Sequence, residues 1–303
     1  MPDFLTHQLF GQKVFITEEA VPLVLRREDT PAYLWGQQGP DLFFYRRAIT
    51  GRPLAPLASR LHSEPPGPFF DSAARYVQAQ QGRFKEISMA YFAGLLCHYV
   101  LDRDIHPYVN ARAKDFHARR PDLSLQALHI QIETDMDMDL YALWRKAPIR
   151  DFHPWDDYFL DDAQREAVAR MWNSLLLEVY KLSLDPGEVP AALDDTLTYA
   201  KMLYRGGSPL HLLAVGAETL ISNKGVLSGR VKRRRPRWDS LNLGAAPWTD
   251  ARGQVRTDTV PDLLARAEGE VRQLMADYTA MWAAGEVTPL VFAENYSGTP
   301  IPG

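Results

Sequence analysis

One cysteine, Cys97, occurs in 303 residues. An intrachain disulfide is therefore excluded, and an oxidising compartment is not required. Cys97 sits in an apolar run before His98 and is expected to pack as a small hydrophobe. No uninterrupted apolar run approaches the roughly 18–20 residues of a membrane-spanning helix. The N-terminus, Met-Pro-Asp-Phe-Leu-Thr-His, lacks a basic n-region and an apolar h-region, so no signal peptide and a cytoplasmic location are expected. Neither sign of charge is in large excess: the formal net charge is −4, which gives no electrostatic case for whole-surface binding to nucleic acid or anionic lipid. Strand-like alternation is nearly absent, and neither an internal repeat nor a domain linker is visible. The expectation is one all-α, multi-helix domain over residues 1–303, with about eight helices.

What is present suits such a bundle. Apolar residues make up 46% and charged residues 24% of the chain, ordinary proportions for a packed core. Helical periodicity predicts helices over about 69–81, 84–110, 123–146, 161–182, 189–205, 208–222 and 261–284. Thr17-Glu-Glu opens a short capped helix over 17–27. Residues 51–68, rich in Pro and Gly, read as a long loop carrying His62, and 223–258 read as irregular. Gly39 and Pro40 mark a turn that presents Asp41 beside an aromatic cluster.

The chemistry concentrates between Gly94 and Glu133. His98, Asp102 and His106 are spaced four apart, as are His129 and Glu133, so each set lines one face of a helix. The lines run through the apolar stripes Ile87/Tyr91/Leu95/Leu101/Ile105/Val109 and Leu125/Leu128/Ile132/Met136/Leu140 and should point into the bundle. Carboxylates are almost never buried without a partner, and metal ions are the natural partner for this mixture. Zinc prefers imidazole nitrogen and carboxylate oxygen, and catalytic zinc sites keep a position open for water. Adding upstream residues gives eight candidate ligands: His7, Asp41, His62, His98, Asp102, His106, His129 and Glu133.

Together these pieces resemble the zinc-dependent phospholipase C / P1-type nuclease family, most closely a small bacterial branch beginning Met-Pro-Asp-Phe-x-Thr-His-x-Leu-Phe-Gly. The residues that carry the resemblance are Met1–Gly11, Gly39-Pro40-Asp41-Leu-Phe-Phe-Tyr45, His62, Cys97-His98-Tyr-Val-Leu-Asp102, His106-Pro107-Tyr108 and His129-x3-Glu133. Beyond residue 145 only Asp239-Ser-Leu-Asn-Leu243 and Pro247-Trp248 contribute. The resemblance implies an all-α bundle with two or three Zn2+ ions at the bottom of a cleft, and hydrolysis of phosphoesters. Carried over, Asp41, His62, His98 and Asp102 would hold the first ion, and His106, His129 and Glu133 the second. Asp102 would bridge to a third ion held with His7 and the chain's N-terminus. Secreted members of the family supply an N-terminal tryptophan there, which this chain lacks. Trimming of Met1 would leave Pro2, five residues before His7, to offer amine and carbonyl. Asp41 would also orient the attacking water or act as its base.

Three functions follow from this reading. The first is a phospholipase C-like phosphoesterase acting on a phospholipid or another phosphoester. The second is a P1-type nuclease or 3′-nucleotidase, and the third a metal-stabilised binding protein without turnover. The same ligands also suit manganese, iron or nickel. Other residues have plainer explanations. His117, His153 and His211 are expected to be structural or loop histidines, and Asp104 solvated or supporting. Asp137 falls on the buried stripe, whereas Asp135 and Asp139 are expected to face water. Trp35, Tyr45 and Tyr99 either line a cleft or simply pack. The basic run from Lys232 to Arg237, followed by Trp238, reads as a solvated loop. Its functional alternative is a phosphate- or headgroup-binding rim making peripheral membrane contact.

Overall fold

The apolar stripes become helices, which the computed structural model orders as α1 (Phe4–Ile16), α2 (Thr30–Gln38), the single turn α3 (Leu42–Tyr45), α4 (Ala55–Ser63), α5 (Gly67–Ala79), α6 (Gly82–Arg119), α7 (Leu125–Arg145), α8 (Asp162–Tyr180), α9 (Glu188–Arg205), α10 (Gly207–Ile221) and α11 (Val260–Ala284). The structure describes residues 4–16, 26–48, 53–205, 207–221, 224–232, 236 and 238–301. A two-residue antiparallel hairpin joins β1 (Trp248–Thr249) to β2 (Val255–Arg256). The fold is all-α, as the periodicity implies. No helix among the described residues is long and apolar enough to cross a membrane.

α6 is the axis of the molecule. At 38 residues it is roughly 57 Å long at 1.5 Å per residue. Nearly every side chain from Ile87 to Val109 is buried, so this helix is enclosed on all sides rather than on one stripe. α2, α7 and α11 pack along it, with α1, α5 and α8 completing the cover. One connected core includes Phe4 at one end of the chain and Tyr296 near the other. Burying a Leu, Ile or Phe side chain contributes about 1.5–3 kcal/mol, and this core holds many.

Helix ends follow from local chemistry. Asp161 and Gln164 form a capping box at the start of α8, as do Thr259 and Asp262 at the start of α11. The Ser124 hydroxyl accepts a hydrogen bond from Ala127 N at the start of α7. Such caps satisfy amides that the first helical turn leaves open. α11 stops at Gly285, in the left-handed region at φ 76°, where glycine carries no Cβ penalty.

Two backbones meet at glycine. A Cβ on Gly36 would lie 2.2 Å from Tyr91 O and 2.7 Å from Gly94 Cα, and one on Gly94 would lie 2.2 Å from Tyr33 O. Only glycine at both positions lets α2 lie this close to α6, and the approach delivers the residues after Gly36 to the His98 turn.

Several expectations need correction. The loop assigned to 51–68 contains α4, and His62 rides on that helix near its end. α6 continues to Arg119 because Ala111 and Ala113 still pack against neighbours. Leu125 of the α7 stripe is 46% exposed, since it lies in the helix's first turn. The irregular stretch 223–258 includes a 3₁₀ turn at Ser228–Arg230 and the hairpin. The capped helix expected over 17–27 falls mostly on residues 17–25, outside the described residues.

Asp135 and Asp139 do not face water. Asp135 accepts a hydrogen bond from Trp238 Nε1 at 2.7 Å and Asp139 one from Ser240 Oγ at 2.7 Å, both buried. Lys232, the first residue of the basic run, is also buried and lies 3.4 Å from Asp137 Oδ2. Arg233–Arg235 and Arg237 fall outside the described residues. Asp137 accepts further hydrogen bonds from Thr6 N at 2.9 Å, Thr6 Oγ1 at 2.6 Å and the Tyr204 hydroxyl at 2.6 Å. This buried network pins the start of α1 against α7 and α9, which sets where His7 can point.

Candidate metal centre

The ligand candidates come from several elements: His7 from α1, Asp41 from the 3₁₀ turn Gly39–Asp41, His62 from α4, His98, Asp102 and His106 from α6, and His129 and Glu133 from α7. All eight converge. Three sets have ligand atoms within 4.8 Å of one another: His7/His98/Asp102, Asp41/His62/His98 and His106/His129/Glu133.

Local structure explains each arrival. Gly39 adopts φ 47°, a region open to glycine, and a Cβ there would lie 2.6 Å from the His98 ring. The chain can thus turn over His98 and set Asp41 beside it. On α6 the spacing of four stacks His98, Asp102 and His106 on successive turns. Asp102 is fully buried between them, with Oδ2 3.4 Å from His98 Nε2 and 3.5 Å from His62 Nε2, while Oδ1 is 3.3 Å from His7 Nε2. Its two oxygens thus serve two different ligand groups.

The separations fit a bound metal. Ligands about 2.0–2.1 Å from a tetrahedral zinc lie about 3.3–3.4 Å from one another. Asp41 Oδ1 lies 3.0 Å from His62 Nε2 and 3.8 Å from His98 Nε2, the two Nε2 atoms lie 3.5 Å apart, and Asp102 Oδ2 lies 3.5 and 3.4 Å from them. His129 Nε2 and His106 Nε2 lie 2.7 and 3.6 Å from Glu133 Oε1. Neither Asp102 oxygen nor either His7 nitrogen takes part in a well-formed hydrogen bond among the described residues, although both residues are fully buried. Burying such groups without compensation costs several kcal/mol, and a cation removes that cost.

The histidine rings are held from behind. Nδ1 of His98 donates to Gln37 O at 2.9 Å, that of His62 to Ala58 O at 2.7 Å, and that of His106 to Tyr296 O at 2.6 Å. His129 Nδ1 donates to Asn110 Oδ1 at 3.0 Å. Each bond fixes a proton on Nδ1 and turns Nε2 toward the centre, the orientation that a metal-ligating imidazole requires.

Protonation follows the same geometry. Burial pushes the His98 pKa down to about 4, with the nearby carboxylates opposing the shift, and burial likewise lowers that of His129. At His62 burial is outweighed by the Asp102 and Asp41 carboxylates, which push its pKa up to about 9. Burial opposes ionisation of Asp102 and Glu133. The histidines beside them win, and both carboxyls sit well below the usual range.

The centre opens to solvent through a cleft of about 260 Å³, whose wall includes Asp41, His62, His106, His129, Glu133 and Arg230. His7, His98 and Asp102 form the floor beneath it. Tyr45 lines the cleft, whereas Trp35 and Tyr99 are core residues whose polar atoms donate to Tyr158 O and Glu294 O. His117 donates to Leu123 O and His211 to Ser228 O, both away from the centre. His153 is an exposed loop residue against Trp155. Asp104 is buried but paired with Arg103 and Arg266. Cys97 is buried against the Tyr33 hydroxyl at 3.3 Å. Met1–Asp3, and with them the proposed ligation by the N-terminus, lie outside the described residues.

The sequence reading missed the groups that orient the rings and the cleft cation Arg230. Gln37, Ala58 and Tyr296 act through backbone carbonyls, which leave no residue-type signal. Asn110 continues the spacing of four beyond His106, and that signal was available.

No family model, curated protein or solved structure matches this chain.

Proposed function

We propose that the protein is a divalent-metal-dependent phosphoester hydrolase, with zinc the ion best suited to its ligands. The observation that carries this reading is the pair of buried donor sets Asp41/His62/His98 and His7/His98/Asp102, which share His98, with the Nδ1 atoms of His62 and His98 already engaged by backbone carbonyls. The resemblance to the zinc-dependent phospholipase C / P1-type nuclease family, which rests on motifs, supports the same reading. Asp41, His62, His98 and Asp102 would hold one ion, His106, His129 and Glu133 a second, and His7 with Asp102 would offer two donors to a third.

Ions bound there supply Lewis acidity, lowering the pKa of water and neutralising charge that develops on phosphoryl oxygens. The chain's own residues do the rest. Asp41 stands on the cleft wall with 5% exposure, so its carboxylate can orient a water and accept its proton. Arg230 lines the same cleft and offers a planar, permanently charged guanidinium to phosphate oxygens. Phe44 and Tyr45 on that wall cover the apolar side of a substrate and limit water. Orientation falls to Gln37, Ala58, Asn110 and Tyr296, which hold the imidazoles still.

The deciding experiment pairs elemental mass spectrometry of tag-free protein, purified without chelator, with an ester panel from phosphatidylcholine to single-stranded DNA. About two or three zinc ions per chain together with hydrolysis of a phosphoester is the expected outcome. A well-folded, metal-free protein would overturn the proposal. Bound zinc without turnover of any ester would leave the binding-protein reading in its place.

A further inference from the structure

The candidate metal centre does not end at its cleft. A groove of about 590 Å³ shares His129, Gln126 and Ser297 with the cleft wall and runs on past Pro107, Asn110 and Lys114 to Thr249 and Asp250 of the hairpin region. A third depression continues from Lys114 and Asp250 to Pro247, Trp248 and Val255. The wall is thus continuous from Glu133 and His129 to the hairpin.

The spacing of four that places His98, Asp102 and His106 also places Asn110 and Lys114 on the next two turns of α6. Asn110 holds the His129 ring through Oδ1. Lys114 lies eight residues beyond His106, about 12 Å further along the helix axis, and lines both outer depressions. It is exposed and has no hydrogen-bond or ion-pair partner among the described residues. The nearby acids are engaged elsewhere: Asp115 with Arg112 at 3.3 Å, and Asp250 Oδ1 with the amides of Arg252 and Gln254, each at 2.9 Å. An ammonium with no partner, on a flexible stem in a groove leading away from a phosphoester site, is suited to a second anionic group of the same substrate.

We infer that the substrate is a phosphoester carrying a second phosphate, and that Lys114 receives that second phosphate in the groove while the scissile one lies at the metal centre. The inference rests on the proposed hydrolase reading for the scissile ester but not for the groove. A nucleotide bisphosphate and a sugar bisphosphate share the required chemistry. Lys114 acts in recognition and touches no reacting atom, so its removal should act on KM and leave kcat nearly unchanged.

The test has two arms on zinc-reconstituted protein. Calorimetry compares thymidine 3′,5′-bisphosphate with thymidine 5′-phosphate, and fructose 1,6-bisphosphate with fructose 6-phosphate. Kinetics compares the p-nitrophenyl ester of thymidine 5′-phosphate with and without a 3′-phosphate. The second phosphate should improve affinity and KM about fivefold, the size of a solvent-exposed charge pair. Lys114→Ala should abolish that gain, Lys114→Arg keep it and Lys114→Glu reverse it. The pair showing the gain identifies whether a nucleoside or a sugar carries the phosphates. A bisphosphate preference unchanged in Lys114→Ala, or absent from the wild type in both pairs, overturns the inference. If neither ester is hydrolysed while the Lys114-dependent binding persists, the hydrolase reading fails and the groove assignment stands.

Discussion

The backbone carbonyl of Tyr296 accepts a hydrogen bond from His106 Nδ1 at 2.6 Å, joining the chain's last described segment to the middle of α6. Tyr99 reinforces the docking, its hydroxyl donating to Glu294 O at 2.8 Å. The Tyr296 ring packs edge-on against His62, with centroids 5.1 Å apart. A segment nearly two hundred residues away in sequence therefore orients one candidate ligand and covers another.

A chain ended after Leu290 should keep its helices but bind metal poorly. Losing the group that orients a ligand lowers metal affinity about 10–100-fold, and the His106/His129/Glu133 set should suffer first. Zinc titration, with circular dichroism as the folding control, measures this. Full-length affinity in the shortened chain would refute the orienting role.

His98→Ala removes a donor shared by two ligand sets and should lower both metal content and melting temperature. Metal binding contributes directly to folding stability, so chelation of the wild type should lower its melting temperature as well. Chelator should have much less effect on the variant. Wild-type zinc content and melting temperature in His98→Ala would make the site assignment wrong.

Gly36→Ala tests the close approach of α2 to α6. The new Cβ would meet Tyr91 O at 2.2 Å, a backbone atom that cannot rotate aside. Overpacking of this kind costs about 1–3 kcal/mol, and any separation of the helices carries Gln37 O away from His98 Nδ1. Urea unfolding should show a lower midpoint; an unchanged midpoint would mean that the helices do not touch there.

Glu218 gives a pH signature from outside the candidate ligand set. Its buried carboxylate accepts hydrogen bonds from the amides of Gly225, Leu227 and Ser228 at 2.9, 2.6 and 2.8 Å. Burial raises its pKa, but these donors outweigh burial and hold it below the ordinary 4.5. A depressed folded pKa means the contribution is fully present above the unfolded value and fades as pH falls through the folded one. Glu218→Gln should therefore lose about 1 kcal/mol at pH 7 and show a smaller deficit near pH 3. An equal deficit in melting temperature at both pH values would rule out the carboxylate's role.

Much of this architecture is legible in the residues alone. The spacing of His98, Asp102 and His106 needs only one helix to become geometry, and periodicity places α5 and α7 to α11 to within a few residues, with α6 running nine residues past its expected end. Short-range encoding is enough there, because propensity and apolar period act over a turn or two. α4 was hidden because three prolines between Arg52 and Pro66 and the glycines around them give a loop signal, while tertiary packing of Leu57, Ala58 and Leu61 makes the helix. Asp135, Asp139 and Lys232 look solvated in isolation. They are buried because Trp238, Ser240 and Asp137 reach them from segments about a hundred residues away.

Which side chains are candidate ligands, and on which helical face they stand, is written locally in the chain, since both are properties of a few consecutive residues. Tertiary structure alone decided that α1, the Gly39–Asp41 turn and α4 bring His7, Asp41 and His62 to the His98 turn. It also decided that carbonyls from α2, α4 and the Tyr296 segment fix the rings, and that Lys114 overlooks a groove continuous with the cleft. Those relationships depend on long-range packing between surfaces, which no local pattern of residue types records.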